Sequence, residues 1–296
     1  MRAALGGIIV PAATPFDADG ELDLAGYVDN LRRWASAGVS GYLALGSNGE
    51  YRSLSDEESL AVAEAAAENA GDRSLLVGAG RESLRLTLAF VERLAAIGGI
   101  DAVAVLTPHY FARSMTDEAL VAYYLDLAER SPIPVLVYVA PVFANGVAPT
   151  VEAVARLAEH PNICGIKDSS AERLRGYLAG GARPGFAVLA GSIDVLMTCL
   201  ENGGDGGVVS AANYLPARCV EVVELAAAGR VGEADGRLAD LQEAVRTTAG
   251  PHSVAGVKAC MTLAGYAGGV PRRPVLPVPP DEVARMRRPL ERALRA

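Results

Sequence analysis

Eight short apolar runs, spread along most of the chain, limit the fold of this sequence more than any other feature. They are rich in Val, Ile, Leu and Ala and occupy residues 6–15, 41–46, 74–80, 101–108, 133–141, 163–169, 186–192 and 206–212. Each run is almost continuously apolar, whereas a strand with one face in water would alternate apolar and polar residues. The pattern therefore predicts strands that are buried on both faces of a parallel sheet.

Amphipathic segments separate these runs and carry the signals of helix ends. Residues 55–71 begin with a Ser followed by acidic residues and end in Gly, and residues 116–132 begin with a Thr and acidic residues and end at a Pro. Strands that alternate with helices in this way predict a (β/α)8 barrel over residues 1–228. A doubly wound sheet is the alternative, but it would more often carry a glycine-rich turn after its first strand, and residues 10–16 (VPAATPF) are not such a turn.

The remaining residues, 229–296, are predicted to form a helical extension of the barrel. Helices are expected over residues 231–249, 253–268 and 281–295, and the proline-rich residues 270–280 are expected to form an ordered crossing between the last two. A chain of 296 residues is an ordinary length for a single α/β barrel. We therefore expect a catalytic barrel with three further helices packed on it.

The charge and the cysteine content argue against several classes of partner. The formal charge is −8 and the isoelectric point is about 5.1, whereas nucleic-acid binding needs a basic face. No apolar run approaches the roughly 20 residues of a membrane-spanning helix, and the first residues lack the apolar stretch of a signal peptide. Four scattered cysteines and three histidines form no metal-ligand pattern. We expect reduced thiols, no metal, no membrane association and a cytoplasmic location.

In a barrel of this type, the active site lies at the C-terminal ends of the strands and in the loops that follow them. In this chain those positions carry Thr14, Ser47, Asn48, Gly49, Glu50, Arg81, His109, Tyr110, Tyr138, Lys167, Asp168, Ser169, Gly191, Ser192 and Ser210. Lys167 is the only lysine among them. A lysine desolvated in the barrel mouth is expected to have a lowered pKa and to attack a carbonyl as a neutral amine, although an ion pair with Asp168 is the alternative role.

Two further features complete the predicted site. Tyr138 ends the fifth run, next to the run that ends at Lys167, so that its hydroxyl could relay protons to an imine or serve only as a satisfied tyrosine at the barrel mouth. The GSNGE segment, residues 46–50, follows the second run. Its glycines let backbone N–H groups converge, and Ser47 and Asn48 add side-chain donors, which suits a small carboxylate.

Six segments, taken in order and spacing, resemble the dihydrodipicolinate synthase / N-acetylneuraminate lyase family over essentially the whole chain. They are LGSNGEYRSLSDEE (45–58), TPHYF (107–111), PIPVLVYVAP (132–141), HPNICGIKDSS (160–170), LAGSIDVL (189–196) and GVVSAANYLP (207–216). The first is similar to the family's G-[TS]-[TS]-G-E signature. The resemblance implies a class I aldolase or related lyase that binds pyruvate as a Schiff base.

Carried onto this sequence, the resemblance gives each residue an expected role. Lys167 forms the imine, and Tyr138 relays protons and faces the keto-acid end of the substrate. Ser47 and Asn48 hold the pyruvoyl carboxylate. Ser47 also links Tyr138 to a tyrosine from a neighbouring subunit, which would be Tyr110.

The same resemblance implies the surroundings of the site and the assembly. Gly191 and Val209 are expected to line the pocket through backbone carbonyl groups. No metal or organic cofactor is implied, because the lysine imine itself acts as the electron sink. The family's usual assembly is a homotetramer, a dimer of dimers, and this is the expected partner arrangement.

Departures from the family pattern bear on the substrate. Dihydrodipicolinate synthases usually carry an arginine shortly after the catalytic tyrosine, where it binds the carboxylate of aspartate semialdehyde, but residues 138–146 (YVAPVFANG) contain none. Several motifs resemble instead the 4-hydroxy-2-oxoglutarate aldolase branch, which yields pyruvate and glyoxylate. In that branch, Ser169 would join the site. Arg81 or His109 could supply a cation for a distal acid group, or could lie at an interface or on the surface.

Three other functions stay open from the sequence. The first is a dehydratase or lyase on a sugar-derived 2-oxo-3-deoxy acid, for which Asn145 and Ser169 could recognise hydroxyl groups. The second is the synthase reaction itself. The third is a non-catalytic keto-acid sensor, which the combination of Lys167, Tyr138 and Ser47 argues against because a binding protein needs no proton relay.

Overall fold

Eight parallel strands close into a barrel in the order in which they follow one another along the chain. The computed structural model describes residues 5–179 and 184–295. The strands are β1 (Gly7–Val10), β2 (Gly41–Ala44), β3 (Ser74–Gly78), β4 (Ala102–Leu106), β5 (Val135–Val139), β6 (Ile163–Asp168), β7 (Ala187–Ala190) and β8 (Gly206–Val208). Each predicted run contains one strand, and β1 pairs with β8, so that the (β/α)8 prediction is confirmed and the doubly wound alternative is wrong.

A helix follows each strand, and three more helices come after the barrel. They are α1 (Leu24–Ser36), α2 (Asp56–Asn69), α3 (Leu84–Ile97), α4 (Asp117–Arg130), α5 (Val151–Ala158), α6 (Ala171–Ala179), α7 (Leu196–Glu201), α8 (Pro216–Ala227), α9 (Val231–Thr247), α10 (Ser253–Leu263) and α11 (Pro280–Arg295). Helix α9 packs against α8 and α11, and α10 contacts the turn that follows β8. No helix of the described chain is long and apolar enough to cross a membrane.

Alternation along the strands decides which side chains enter the barrel. A separate apolar cluster, with members from seven strands, fills the interior: Ile9, Leu43, Leu76, Ala102, Ala104, Leu136, Leu189 and Val208. Their neighbours along the strands belong to the larger core between the barrel and the helices. Because side chains alternate between faces along a strand, Tyr138 shares the inward face with Leu136. The interior of the barrel is therefore apolar, and polar side chains such as Tyr138 lie at its C-terminal end.

Asn213 connects the loops that follow β1 and β8, the two strands whose pairing closes the barrel. It is fully buried in the turn after β8, its Oδ1 accepts from the N–H of Ala13 at 3.0 Å, and its Nδ2 donates to the carbonyl oxygens of Pro11 at 3.0 Å and Ser210 at 3.1 Å. Its own carbonyl oxygen accepts from the indole N–H of Trp34 at 3.0 Å. One amide side chain thus satisfies backbone groups of the loops that follow the first and the last strand.

Asn213→Ala would leave these backbone groups buried without partners. We expect the free energy of unfolding to fall by about 3 kcal/mol, because each orphaned group costs about 1–3 kcal/mol. The matched control is Asn202→Ala, which removes a single hydrogen bond from an exposed asparagine to the carbonyl oxygen of Thr198 and should change the stability little. Urea unfolding followed by circular dichroism measures both variants, and equal losses would contradict the role of Asn213 in closing the barrel.

Candidate active site

A cavity of about 350 Å³ opens at the C-terminal ends of the strands. The polar residues in its wall are Ser47, Asn48, Tyr138, Lys167, Ser169, Ser192, Asp194, Ser210, Tyr214 and Ser253. The other lining residues are Pro11, Leu43, Ala140, Pro141, Val142, Phe143, Gly191, Ile193, Val208, Ala211, Val245, Ala249, Gly250 and Val257. The structure therefore gathers into one cavity most of the polar residues that the sequence places at the strand ends.

Lys167 and Tyr138 face each other at the base of this cavity. They are paired in register on β6 and β5, and they are 6% and 5% exposed. The ammonium nitrogen Nζ of Lys167 lies 4.1 Å from the centre of the Tyr138 ring. The strand register shifts by one residue near Val135, with Cys164 as the extra residue, and this shift sets Lys167 directly opposite Tyr138. The phenol is thereby next to the only buried amine of the cavity wall.

The carboxylate of Asp168 points to the helix side of β6 and is fully buried there. It accepts from Arg173 Nε at 2.6 Å and Nη2 at 2.8 Å, from Tyr177 Oη at 2.8 Å and from the N–H of Ser170 at 2.9 Å. Burial next to this carboxylate raises the pKa of the Tyr177 hydroxyl. Four donors occupy Asp168, so it serves as an anchor for the end of β6 and is not the ion-pair partner of Lys167.

The turn of residues 47–50 carries the hydroxyl and amide groups expected to hold a carboxylate. Ser47 Oγ lies 3.0 Å from Tyr138 Oη, and Asn48 Nδ2 donates to Ser210 Oγ at 2.8 Å. The N–H of Glu50 donates to the carbonyl oxygen of Ser47 at 3.1 Å, which closes the turn. This arrangement places Ser47 within hydrogen-bond distance of the phenol that faces the lysine.

A second support for the turn comes from the first loop of the barrel. The hydroxyl of Thr14 is buried and donates to the carbonyl oxygen of Gly49 at 2.9 Å. Thr14 therefore supports the turn from behind and does not itself line the cavity.

Gly191 approaches the lysine so closely that no side chain fits at this position. A Cβ atom there would lie 2.8 Å from Lys167 Cε and 2.4 Å from Ser169 Oγ. Its N–H donates to the carbonyl oxygen of Asp168 at 2.6 Å. Val209, in contrast, belongs to the helix-side core, and its carbonyl oxygen accepts from the N–H of Ala212. Val208, the residue before it, lines the cavity, and the expected role of the Val209 carbonyl group stays a prediction.

Three polar residues proposed for the distal end of a substrate lie away from the cavity wall. Arg81 donates to Asp56 at 2.7 Å, and its guanidinium carbon lies 4.0 Å from the centre of the Phe90 ring. Asn145 is exposed and donates to the carbonyl oxygen of His109 at 3.1 Å. None of these three residues lines the cavity. The structure therefore does not place the side chain of Arg81 or His109 where it could bind a second acid group of the substrate.

Tyr110 is also outside the cavity, in the loop after β4. It is 74% exposed and packs edge-to-face on Phe111, which is 70% exposed. Glu82 holds this loop by accepting from the N–H groups of His109 at 3.0 Å and Tyr110 at 2.9 Å and from Arg52 at 2.9 Å. Burial would raise the pKa of Glu82, but these donors outweigh it and hold the pKa below its ordinary value. The two aromatic rings thus stand on a well-anchored loop.

Part of the cavity wall comes from the extension after the barrel, which sequence reasoning did not assign to the site. Val245, Ala249, Gly250, Ser253 and Val257 all line the cavity. In the sequence they belong to apolar helical patterns that indicate packing alone, so the chain offers no local signal for this role. Ser253 adopts a left-handed backbone, with φ at 51°, as the chain turns into α10.

The described part of the site lacks a set of side chains that could bind a metal ion. Among the residues that the structure describes, no group of three His, Cys, Asp or Glu side chains is arranged to hold a metal ion.

Comparison with known proteins gives one family and close relatives with related activities. Residues 4–293 match the family described as the dihydrodipicolinate synthetase family. A probable 4-hydroxy-2-oxoglutarate aldolase, mitochondrial, from Emericella nidulans is 33% identical, with 97% of this chain and 94% of the relative covered. An L-threo-3-deoxy-hexylosonate aldolase from Hypocrea jecorina is 34% identical, with 91% of this chain and 90% of the relative covered.

A solved structure has nearly the same fold over its full length. The crystal structure of YagE, a prophage protein from E. coli K12 in complex with pyruvate, superposes with a TM-score of 0.90 at 30% identity. The superposition covers 98% of this chain and 99% of that one. The family resemblance seen in the sequence is therefore confirmed.

Arg173→Met would remove two of the four donors to the buried Asp168 carboxylate. We expect the free energy of unfolding to fall by about 3 kcal/mol, because breaking a buried ion pair leaves an uncompensated charge. The matched control is Arg230→Met, since Arg230 also binds the carboxylate of Glu233 through Nε at 2.7 Å and Nη2 at 2.6 Å, but on the exposed surface. Thermal unfolding should separate the two variants, and comparable shifts in both would refute the anchoring role of Asp168.

Proposed function

The chain belongs to the dihydrodipicolinate synthetase family and is a class I aldolase or lyase, and we propose that it cleaves a 4-hydroxy-2-oxo acid to pyruvate and an aldehyde. The observation that carries this proposal is the pairing of a buried lysine with a buried tyrosine in one cavity, Lys167 opposite Tyr138. In this proposal, Lys167 is the nucleophile that forms the imine. The complex of YagE with pyruvate supports pyruvate as the common portion of the substrate.

The cleavage needs no further reactant, because the water expelled on imine formation equals the water consumed in the final hydrolysis. The Lys167 amine adds to the C2 carbonyl of the oxo acid and expels water, which leaves a protonated imine. The C4 hydroxyl then loses its proton while the C3–C4 bond breaks, an aldehyde departs, and the bonding electrons pass into the imine to form an enamine. Protonation at C3 and hydrolysis release pyruvate and restore the amine.

Tyr138 and Ser47 have complementary roles in this scheme. The Tyr138 hydroxyl takes up and returns the protons of carbinolamine formation and of C4 deprotonation, and Ser47 Oγ, 3.0 Å away, holds the phenol in place. The face of the Tyr138 ring lies under Lys167 Nζ, where it stabilises the positive charge of the imine. The same pair therefore supplies both proton transfer and charge stabilisation.

The turn after β2 is proposed to bind the C1 carboxylate of the substrate. Ser47 and Asn48 line the cavity next to Tyr138, and Ser210 stands 2.8 Å from the Asn48 amide. Neutral hydroxyl and amide donors suit a carboxylate that must be released again as pyruvate. Ser169 lines the cavity near Lys167, where both side chains lie close to Gly191, and it is proposed to contact the C4 hydroxyl.

The distal part of the cavity favours an uncharged aldehyde portion. Among the described residues of the wall, Lys167 and Asp194 are the only charged ones. Arg246 lines an adjoining cavity that shares Asp194 with this one, and there it is exposed and already paired with Glu243. A second carboxylate, as in 4-hydroxy-2-oxoglutarate, would face Asp194 with no unpaired cation in the described wall, whereas hydroxyl groups could donate to Asp194 and bind Ser253. We therefore favour a sugar-derived 2-oxo-3-deoxy acid, the chemistry named for the Hypocrea jecorina relative, over the dicarboxylic substrate named for the Emericella nidulans relative.

Other reactions of the same imine are less well supported. The synthase reaction needs a partner for a second carboxylate, and residues 138–146 contain no arginine. A dehydratase would share the imine but would release water and no aldehyde, so that product analysis distinguishes it. A non-catalytic sensor would have no use for the contact between Ser47 and Tyr138.

The proposed function also includes an oligomeric state and a cellular compartment for the enzyme. We propose a homotetramer in which Tyr110 crosses to the Ser47 and Tyr138 pair of a neighbouring subunit, supported by the 74% exposure of Tyr110 on its anchored loop. A reducing compartment such as the cytoplasm fits the four free thiols, Cys164, Cys199, Cys219 and Cys260.

Cleavage should depend on Lys167 and Tyr138 in different degrees. With a 2-oxo-3-deoxy sugar acid as substrate, the wild-type enzyme should release pyruvate and an aldehyde in equal amounts. Lys167→Met should abolish the reaction because no imine can form, and Tyr138→Phe should lower kcat by about a hundredfold or more because proton transfer is lost. Product analysis by liquid chromatography measures both, and unimpaired cleavage by folded Lys167→Met would rule out the proposal.

The distal wall should discriminate by charge. We expect kcat/KM to be about tenfold or more higher for a neutral 2-oxo-3-deoxy sugar acid than for 4-hydroxy-2-oxoglutarate, because the second carboxylate loses water without gaining a cation. Asp194→Asn should narrow this preference by removing the repulsion. Asp240→Asn, an exposed acid on α9 away from the cavity, is the control and should leave the preference unchanged. A higher kcat/KM for the dicarboxylic acid would contradict the neutral distal site.

A further inference from the structure

The second lysine of the chain, Lys258, is buried and lies outside the catalytic cavity. It is 1% exposed on α10, and its Nζ lies 2.5 Å from Glu50 Oε1 and donates to the carbonyl oxygen of Val270 at 2.8 Å. The ring of Phe16 covers it at 4.2 Å. Burial lowers the pKa of Lys258 to about 8, although the Glu50 carboxylate opposes this shift. Removing one partner of such a buried ion pair leaves an uncompensated charge, so the pair holds its two elements together strongly.

The partner carboxylate belongs to the turn proposed to bind the substrate. Glu50 is the last residue of the turn that begins at Ser47, its side chain is 4% exposed, and its φ of 51° lies in the left-handed region. A non-glycine residue keeps such a backbone only where the surroundings hold it. The side-chain contacts of Glu50 therefore hold this turn from one side, while Thr14 supports it through Gly49.

The other oxygen of Glu50 reaches the crossing that leads to the last helix. Oε2 accepts from the N–H of Arg272 at 2.9 Å. The Arg272 guanidinium in turn donates to Glu58 on α2 at 2.9 Å and 2.5 Å and to the carbonyl oxygen of Ser53 at 2.8 Å. Glu50 thus joins the turn after β2 to α10 on one side and to residues 270–272 on the other.

Helix α10 also forms part of the cavity wall. Val257, the residue before Lys258, lines the cavity, and so does Ser253 at the start of the helix. The Lys258–Glu50 pair therefore connects the part of the cavity wall formed by α10 to the turn proposed to bind the substrate carboxylate. A shift of this pair would change the distance between the two.

We propose that Lys258 and Glu50 are positioning residues, which set the Ser47–Asn48 turn at the distance from Lys167 at which the carboxylate of an oxo acid binds while its carbonyl meets the amine. The proposal rests on the proposed function, because it assigns the turn to carboxylate binding. The pair touches no reacting atom and acts through the turn. Its loss should weaken pyruvate binding while leaving the imine chemistry of bound pyruvate intact.

The test is the pyruvate concentration that half-saturates imine formation, measured by borohydride trapping and intact-protein mass spectrometry. Lys258→Met and Glu50→Gln should each raise it by about tenfold, because a displaced turn misplaces the carboxylate. Both should still reach the wild-type extent of trapping at saturation. The double variant should be little worse than either single variant, since both changes break the same interaction. Glu50→Gln is isosteric and carries the test if Lys258→Met fails to fold.

The matched control is Arg218→Met, which removes a different link between the barrel and the extension. Arg218 on α8 donates to the carbonyl oxygen of Ala293 on α11 at 3.1 Å and pairs with Glu221 at 3.1 Å. This variant should lose thermal stability without a change in the half-saturating pyruvate concentration. Folded Glu50→Gln with a value within about twofold of wild type would overturn the positioning role alone. Absence of any adduct in the wild-type protein would overturn both this role and the proposed function.

Discussion

The pairing of β5 with β6 is the constraint on which the rest of the site depends. Alternation sends Lys167 into the barrel and Asp168 out of it, so that two adjacent charged side chains reach opposite environments. The outward carboxylate is satisfied by Arg173 and Tyr177, which holds the strand end in place. The inward amine meets the ring of Tyr138 and the small backbone of Gly191. The position of Lys167 thus depends on the contacts of Asp168, a residue that does not line the cavity.

Much of this arrangement could be predicted from the sequence, because the signals are local. Eight apolar runs define eight strands, and a lysine, a tyrosine and a Ser-Asn turn at their C-terminal ends define the candidate site. The register shift near Cys164 could not be predicted, since one extra residue in an apolar run changes no local pattern. The sequence leaves the direction of Arg81 open, because position after a strand does not tell which way a long side chain turns, and in the structure Arg81 binds Asp56.

The contribution of the helical extension to the site could not be predicted from the sequence either. Residues 253–268 have the apolar periodicity of any packed helix, yet Ser253 and Val257 form the cavity wall and Lys258 reaches the turn after β2. These contacts join positions about two hundred residues apart in the chain, which only the folded structure brings together. We therefore attribute the proposed imine chemistry to the barrel, and the position of the Ser47–Asn48 turn in part to the extension.

The central claim is that Lys167, and not the other lysine, forms the imine with pyruvate. Because the chain contains only two lysines, Lys167 and Lys258, peptide mapping after treatment with pyruvate and borohydride gives an unambiguous assignment. The account predicts a reduced pyruvoyl adduct on the peptide that contains Lys167 and an unmodified Lys258. An adduct on Lys258, or a folded protein with no adduct, would contradict it.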